Sequence, residues 1–135
     1  AELYNDNNSL KPIAAMPGAS EVKTARKATV SASTTRVTVI NPTAGKKVRI
    51  ISVSINNGSA TADRIEIYFA DGANITTTAG KEIYEALLDL TDNPHAFASW
   101  PDGAGPVGAA DDDVSLRTTV DLTTNVDVIV IYREE

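Results

Sequence analysis

Three consecutive aspartates, Asp111, Asp112 and Asp113, form the most conspicuous group in this chain that could bind a ligand. Carboxylate oxygens bind calcium when several of them converge on one ion together with backbone carbonyls. Three adjacent residues cannot all point at one ion without an unusual backbone, and no EF-hand spacing follows them. The pattern therefore favours a solvated turn, and we expect no bound metal. An adventitious calcium ion and a salt bridge between subunits are the alternatives.

His95 is the only histidine, and the chain has no cysteine. These counts exclude disulfides, thiolate zinc sites, cysteine nucleophiles and multi-histidine metal sites. The sequence also lacks a Gly-x-Ser-x-Gly elbow, a phosphate-binding glycine loop and a dinucleotide fingerprint. Eighteen acidic residues always permit some pair suited to glycoside cleavage, but nothing singles one pair out. We therefore predict a protein that is not an enzyme, with no catalytic residue and no cofactor.

Four aromatic residues, Tyr68, Tyr84, Phe97 and Trp100, have two interpretations. They could form a platform for a sugar, or they could fill the core and anchor loops to it. The chain contains only seven aromatic residues, and a domain with so few large side chains needs them inside. Core and loop anchoring is therefore the favoured interpretation, with Phe97 and Trp100 fixing the segment 92–108.

Length and charge limit the classes of partner. A chain of 135 residues is long enough for one domain with its own core. A formal net charge of -6 argues against nucleic acid, because binding to phosphates requires a basic surface. The N-terminus has neither a basic leader nor a continuous apolar segment, so we expect no signal peptide and no membrane partner.

Residues 36–57 organise the chain. Val37 and Val39 alternate with polar residues, and so do Val48 and Ile50, as half-buried strands require. The turn-forming residues of the segment 41–46 lie between them, and the pattern predicts a β-hairpin. The apolar parity changes between Ile50 and Ile51, which predicts a β-bulge or a strand covered on both faces.

The remaining sequence predicts an all-β fold, a β-sandwich of the jelly-roll kind, as a single domain over residues 21–135. We expect strands in 63–70 and 114–122, and a strand or extended segment in 21–35. A further strand over 126–132 lies centrally or in an interface, with residues 133–135 ending in solvent. Residues 81–92 favour a short helix or turn, and residues 92–108 an irregular connection.

Residues 1–20 precede this domain as an extended arm. Pro12 and Pro17 lie in it, and its apolar residues follow neither a helical nor a strand period. Such an arm is either a mobile tail or a segment that orders on a neighbouring subunit. Five sizeable apolar side chains are candidates for binding a partner: Leu3, Tyr4, Leu10, Ile13 and Met16.

Three stretches together resemble small structural proteins of tailed bacteriophages. They are the run Asn41-Pro-Thr-Ala-Gly-Lys-Lys-Val-Arg-Ile-Ile-Ser-Val-Ser-Ile-Asn-Asn-Gly58, the strand ending Tyr68-Phe-Ala-Asp-Gly72, and the close Val126-Asp-Val-Ile-Val-Ile-Tyr-Arg133. The resemblance covers residues 36–133.

The resemblance implies a virion component without enzymatic activity. The leading hypothesis is a head decoration protein on the capsid surface, made in the bacterial host cytoplasm. Its partners would be the phage major capsid protein and copies of itself in a homotrimer, held by the five apolar arm residues. The alternative is a receptor- or carbohydrate-binding module of a tail fibre or baseplate, with Tyr84 and Trp100 as contacts.

Overall fold

The structure, a computed structural model, describes residues 20–29, 36–70, 81–118 and 126–135. In these ranges the chain forms eight strands and no helix, so none of these residues forms a helix that could cross a membrane. The strands are β1 (Lys23–Thr29), β2 (Val37–Ile40), β3 (Val48–Asn57), β4 (Asp63–Phe69), β5 (Glu82–Leu88), β6 (His95–Ser99), β7 (Val114–Thr118) and β8 (Val126–Glu134).

The strands form two antiparallel sheets. The first sheet has the order β1-β8-β3-β6 and the second has the order β2-β7-β4-β5. The chain changes sheet at every connection except the one between β4 and β5, and this is the topology of an eight-stranded jelly roll. The prediction of an all-β sandwich is confirmed.

The core lies between the two sheets and is built by alternation along the strands. The fully buried members include Val48, Ile50, Val53 and Ile55 of β3, Ile65 and Ile67 of β4, and Val126, Val128 and Val130 of β8. Branched aliphatic side chains suit this position because they pack well on a pleated surface. Since the chain has no disulfide, this packing provides most of the stability.

The predicted β-hairpin over residues 36–57 is wrong, although both of its strands exist. β2 pairs with β7, with Val37 opposite Leu116, whereas β3 pairs with β6 and β8. The turn at Gly45, where φ is 79°, carries the chain from the second sheet to the first. Alternation identifies a strand and its buried face. It does not show whether two such strands pair in one sheet or belong to two sheets that pack against each other across the core. The predicted bulge is confirmed, because the register of β3 against β8 shifts between Ile50 and Ser52.

The segment 81–92 is not a helix, which corrects the prediction. Its residues form β5, antiparallel to β4, with Tyr84 opposite Ile67. Ile67 and Tyr68 of β4 lie opposite Tyr84 and Glu82, so Ile83 is an extra residue in β5, and this bulge leaves it buried together with the inward residues of β5. This irregularity breaks the period of two in the sequence, so the local pattern favoured a helix although pairing with β4 makes it a strand. The segment 92–108 likewise contains a strand, β6, that was not predicted.

β8 lies at the centre of the first sheet, as predicted, between β1 and β3. Its last residues do not simply end in solvent. Glu134 is half-buried, its Oε2 lies 3.1 Å from Lys23 Nζ, and its Oε1 accepts a hydrogen bond of 2.9 Å from the backbone N–H of Thr43. Glu135 is exposed and pairs with Arg49. These contacts connect the end of β8 with β1, with β3 and with the segment before β3.

Glu134 should contribute to stability only above acidic pH. The backbone N–H of Thr43, together with Lys23, holds the pKa of Glu134 below its ordinary value. A carboxyl group whose pKa is lower in the folded state loses its stabilising effect as pH falls through that value. We therefore expect Glu134→Gln to flatten the decline of the melting temperature between about pH 5 and pH 2. Parallel curves of melting temperature against pH for the two proteins would contradict this role.

Candidate interaction surface

The three consecutive aspartates each have a separate partner. Asp111 Oδ1 accepts a hydrogen bond of 2.6 Å from the backbone N–H of Gly45, and Asp112 Oδ2 lies 2.5 Å from Lys81 Nζ. Asp113 Oδ2 lies 3.1 Å from Arg36 Nη1. Within the described ranges, no three acidic or histidine side chains are arranged to hold a metal ion. The cluster therefore joins three other segments of the chain, through two ion pairs and one hydrogen bond to the backbone inside one subunit.

Ala70 lies beside this cluster in a strained conformation. Its φ is 77°, its N–H donates 2.9 Å to the carbonyl of Asp113, and its own carbonyl accepts from the hydroxyl of Ser115 at 3.0 Å. A left-handed backbone conformation is less favourable for a residue that has a Cβ than for glycine.

We expect Ala70→Gly to raise the free energy of unfolding by roughly 0.5–1 kcal/mol, the relief of strain less the added freedom of glycine in the unfolded chain. Urea unfolding measures the change. The control Ala86→Gly, in β5 where φ is not positive, should lower stability. If both variants lower it alike, the strain at Ala70 is not real.

The histidine and the aromatic residues do not form a common site. His95 is exposed at the start of β6. Tyr84 and Trp100 are half-buried against the core, as predicted, whereas Tyr68, only 2% exposed, is buried on the outward side of the second sheet. Phe97 is 65% exposed, and the prediction that it anchors a loop to the core is wrong. β6 alternates small inward alanines with outward residues, which places Phe97 on the outside of the first sheet.

The outward side of the first sheet exposes two large apolar side chains in neighbouring positions, and we call it the Phe97 face. Residues opposite one another in neighbouring strands point to the same side. One row across the sheet is Arg26 of β1, Ile129 of β8, Ser54 of β3 and Phe97 of β6. Phe97 and Ile129, which is 38% exposed, present large apolar side chains to solvent there.

Serines of β3 form the floor of the Phe97 face. Ser54 is half-buried and lies opposite both Ile129 and Phe97, whereas Ser52, opposite Ile131, is only 8% exposed. Neighbouring strands are about 4.8 Å apart, so the side chains of β6 and β8 stand about 10 Å apart on either side of these small hydroxyls. At the row of Ser54 this leaves a short, shallow groove with Phe97 on one side and Ile129 on the other, suited to an apolar side chain of an extended segment.

The outward side of the second sheet has a different character. Glu66, Tyr68 and Ser115 are all buried there. Glu66 Oε2 lies 3.5 Å from Arg117 Nε, and burial raises the pKa of the Glu66 carboxyl. Leu87 is exposed at the β5 edge, directly opposite Arg64 in β4. The buried residues on this side are polar and charged, so it offers no groove of the same kind.

One end of the Phe97 face is closed by ionic contacts. Arg133 Nη2 lies 2.8 Å from Asp102 Oδ2, and Arg133 Nη1 donates to the carbonyl of Ser20. Arg133 holds the pKa of Asp102 below its ordinary value. Ser20 precedes β1, so the backbone before the first strand is held at this end of the face.

The five predicted partner-binding residues, Leu3, Tyr4, Leu10, Ile13 and Met16, lie outside the described residues, so their role stays a prediction. The Phe97 face was missed because β6 was not recognised as a strand. The alternation in His95-Ala-Phe-Ala-Ser99 is the signal that points to it.

Comparisons with known proteins identify a shared fold. No family model matches the sequence, and no curated protein matches it. The structure is similar to a chain described as "Cyanophage Pam1 capsid asymmetric unit", with a TM-score of 0.54, 16% sequence identity and 96% of each chain covered. A weaker likeness, with a TM-score of 0.42 and 12% identity, covers 87% of this chain and 92% of a chain from "Bacillus endospore appendages form a novel family of disulfide-linked pili". The jelly roll described above is thus also the fold of a chain in a phage capsid.

Proposed function

We propose that this protein is a structural component of a phage virion and serves as a head decoration protein. The observation that carries the proposal is the likeness of the whole jelly roll to a chain of the cyanophage Pam1 capsid asymmetric unit, over 96% of both chains. The sequence resemblance to small phage structural proteins points the same way. Jelly rolls are a common architecture of viral capsid domains.

The distribution of side chains supports a role in assembly. The acidic cluster, which was the best candidate for chemistry, makes two ion pairs and a backbone hydrogen bond that join segments of the fold. The Phe97 face instead exposes large apolar side chains on a sheet. Exposed apolar patches on soluble proteins often mark surfaces that bind other proteins. In the proposed function the chain associates with copies of itself, as a homotrimer, and attaches to the major capsid protein at the capsid surface.

The coarser part of the proposal, a virion component, is tested on purified particles. We expect mass spectrometry of gradient-purified virions of the encoding phage to detect this chain in many copies per particle. Detection only in the lysate, with none in the particles, would overturn the proposal. A glycan array probed with the full chain should be blank, and strong binding to one glycan would support the tail-fibre alternative.

The finer part, decoration, is tested by particles made without the protein. A decoration protein adds to a shell that forms in its absence, so heads should still assemble, should unfold at lower temperature, and should regain stability when purified protein is added back. Failure of heads to form would identify a building block of the shell itself. Heads of unchanged stability that do not bind added protein would place the chain elsewhere in the virion.

A further inference from the structure

We propose that the Phe97 face is the docking surface for the N-terminal arm, residues 1–19, of a second copy of this chain. This inference rests on the proposed function in one respect, the association of like subunits. In that association, the Phe97 face of one subunit would bind the arm of the other.

The receiving surface fits an extended apolar segment. Phe97 is 65% exposed and Ile129 38% exposed, although both lie on a sheet whose other side is the core. Ser54 between them carries no bulk and is only half-buried, so a second backbone can approach β3 there while its side chains contact Phe97 and Ile129. Burial of Phe97 and Ile129 would drive the docking.

The charges of the segment and of the groove agree. Residues 12–19, Pro-Ile-Ala-Ala-Met-Pro-Gly-Ala, contain no charged side chain and include two of the five apolar arm residues, Ile13 and Met16. The groove is likewise uncharged between Ile129, Ser54 and Phe97. Arg26 and Asp127, at the β1 side of the face, are paired with each other at 3.3 Å. Apolar side chains can therefore enter without leaving a charge unpaired.

The arm is long enough to reach the face of a second copy. Ser20 is held by Arg133 at the end of the face, so the arm begins at the edge of its own sheet. Fully extended, 19 residues reach about 65 Å, and residues 3–16 alone span about 45 Å. The nine residues of β8 span only about 30 Å. An arm whose apolar residues extend further than its own face is long enough to reach a neighbouring subunit.

Disulfide trapping tests the inference, because the chain has no cysteine to interfere. Full-length chains carrying Ile13→Cys are mixed with isotope-labelled full-length chains carrying Ser54→Cys, oxidised mildly, and resolved by mass. Ser54→Cys leaves Phe97 and Ile129 in place and changes only one atom. The control chain carries Leu87→Cys, which is more accessible, since Leu87 is 67% exposed on the outward side of the second sheet. Light scattering of the same samples reports self-association.

We expect at least tenfold more mixed dimer with Ser54→Cys than with Leu87→Cys, and at least a fivefold loss of that dimer when Phe97→Ser is added to the Ser54→Cys chain. Equal yields with both positions, or no mixed dimer, would overturn the inference. A chain carrying both Ile13→Cys and Ser54→Cys that closes only within itself would also overturn it, because the arm then covers its own face. If the samples are oligomeric while trapping fails, self-association stands and only the docking surface is wrong; monomers throughout would count against the proposed association itself.

Discussion

Gly105→Ala is expected to lower the free energy of unfolding by more than about 3 kcal/mol, or to prevent folding altogether. A Cβ built on Gly105 would lie 1.9 Å from the carbonyl oxygen of Ile50 and 3.0 Å from its carbonyl carbon. Both are backbone atoms of β3, so no side chain can move aside. The side chain that alanine adds therefore requires the segment 105–108 to separate from β3.

That separation would break several contacts at once. Pro106 O accepts a hydrogen bond of 2.9 Å from Ile50 N–H, and Gly108 N–H donates 3.0 Å to Val48 O. The carbonyl of Gly105 itself accepts 3.0 Å from Arg49 Nη1. Each lost hydrogen bond costs about 1 kcal/mol, and more where a buried backbone group is left unpaired.

Gly103→Ala is the matched control. Gly103 has a φ of 86°, and a Cβ built there has no atom within 4 Å. Alanine at that position adds only the strain of a left-handed backbone conformation, about 1 kcal/mol, so the variant should fold. Urea unfolding of both variants gives the comparison, with soluble yield as the measure where Gly105→Ala does not fold. Equal losses of stability would mean that the contact between Gly105 and β3 is not tight.

Deletion of residues 1–19 is expected to weaken self-association at least tenfold while leaving the melting temperature of the sandwich nearly unchanged. The removed segment contains all five of the predicted partner-binding residues, and the core contacts that the structure describes lie in residues 25–132. A tenfold loss corresponds to about 1.4 kcal/mol, which is less than the burial of a single large apolar side chain can provide. Light scattering over a range of concentrations measures the change.

A full-length variant separates the apolar side chains from the length of the arm. It replaces with serine the residues Leu3, Tyr4, Leu10, Ile13 and Met16. If apolar contacts hold the arm, this variant should lose as much self-association as the deletion does, and it should lose attachment to phage heads as well. Self-association and attachment that survive both changes would remove any role for the arm.

The sequence predicted those strands whose local pattern agrees with their tertiary role. β4 alternates regularly and ends at a turn, and the continuous apolar run of β8 indicated a central strand, which is the position it has between β1 and β3. The hairpin prediction failed because sheet membership depends on partners distant in the chain, such as Leu116 for Val37. β5 was missed because a bulge disturbs its alternation. Without that alternation, a strand of seven residues cannot be distinguished from a helix by its apolar pattern.

The candidate surface was less predictable than the fold. Asp111–Asp113 was the first candidate for ligand binding because an acidic run can bind a cation. In the structure, each carboxylate instead binds a basic side chain or a backbone amide of a different segment. Phe97 was assigned to the core because large aromatic residues are usually buried. Its exposure depends on the parity of β6, and that parity is fixed by the pairing of Ser54 with Phe97.

Because β8 lies at the centre of the first sheet, the Phe97 face can form only after β8 has been synthesised. During synthesis, β1, β3 and β6 leave the ribosome long before residues 126–134, and without β8 nothing connects β1 to β3 in the first sheet. Pairing between segments so distant in the chain is slow and is completed late. The Phe97 face therefore cannot form on a nascent chain until β8 has been translated, and neighbouring polypeptides on one messenger RNA have no finished partner surface before that point.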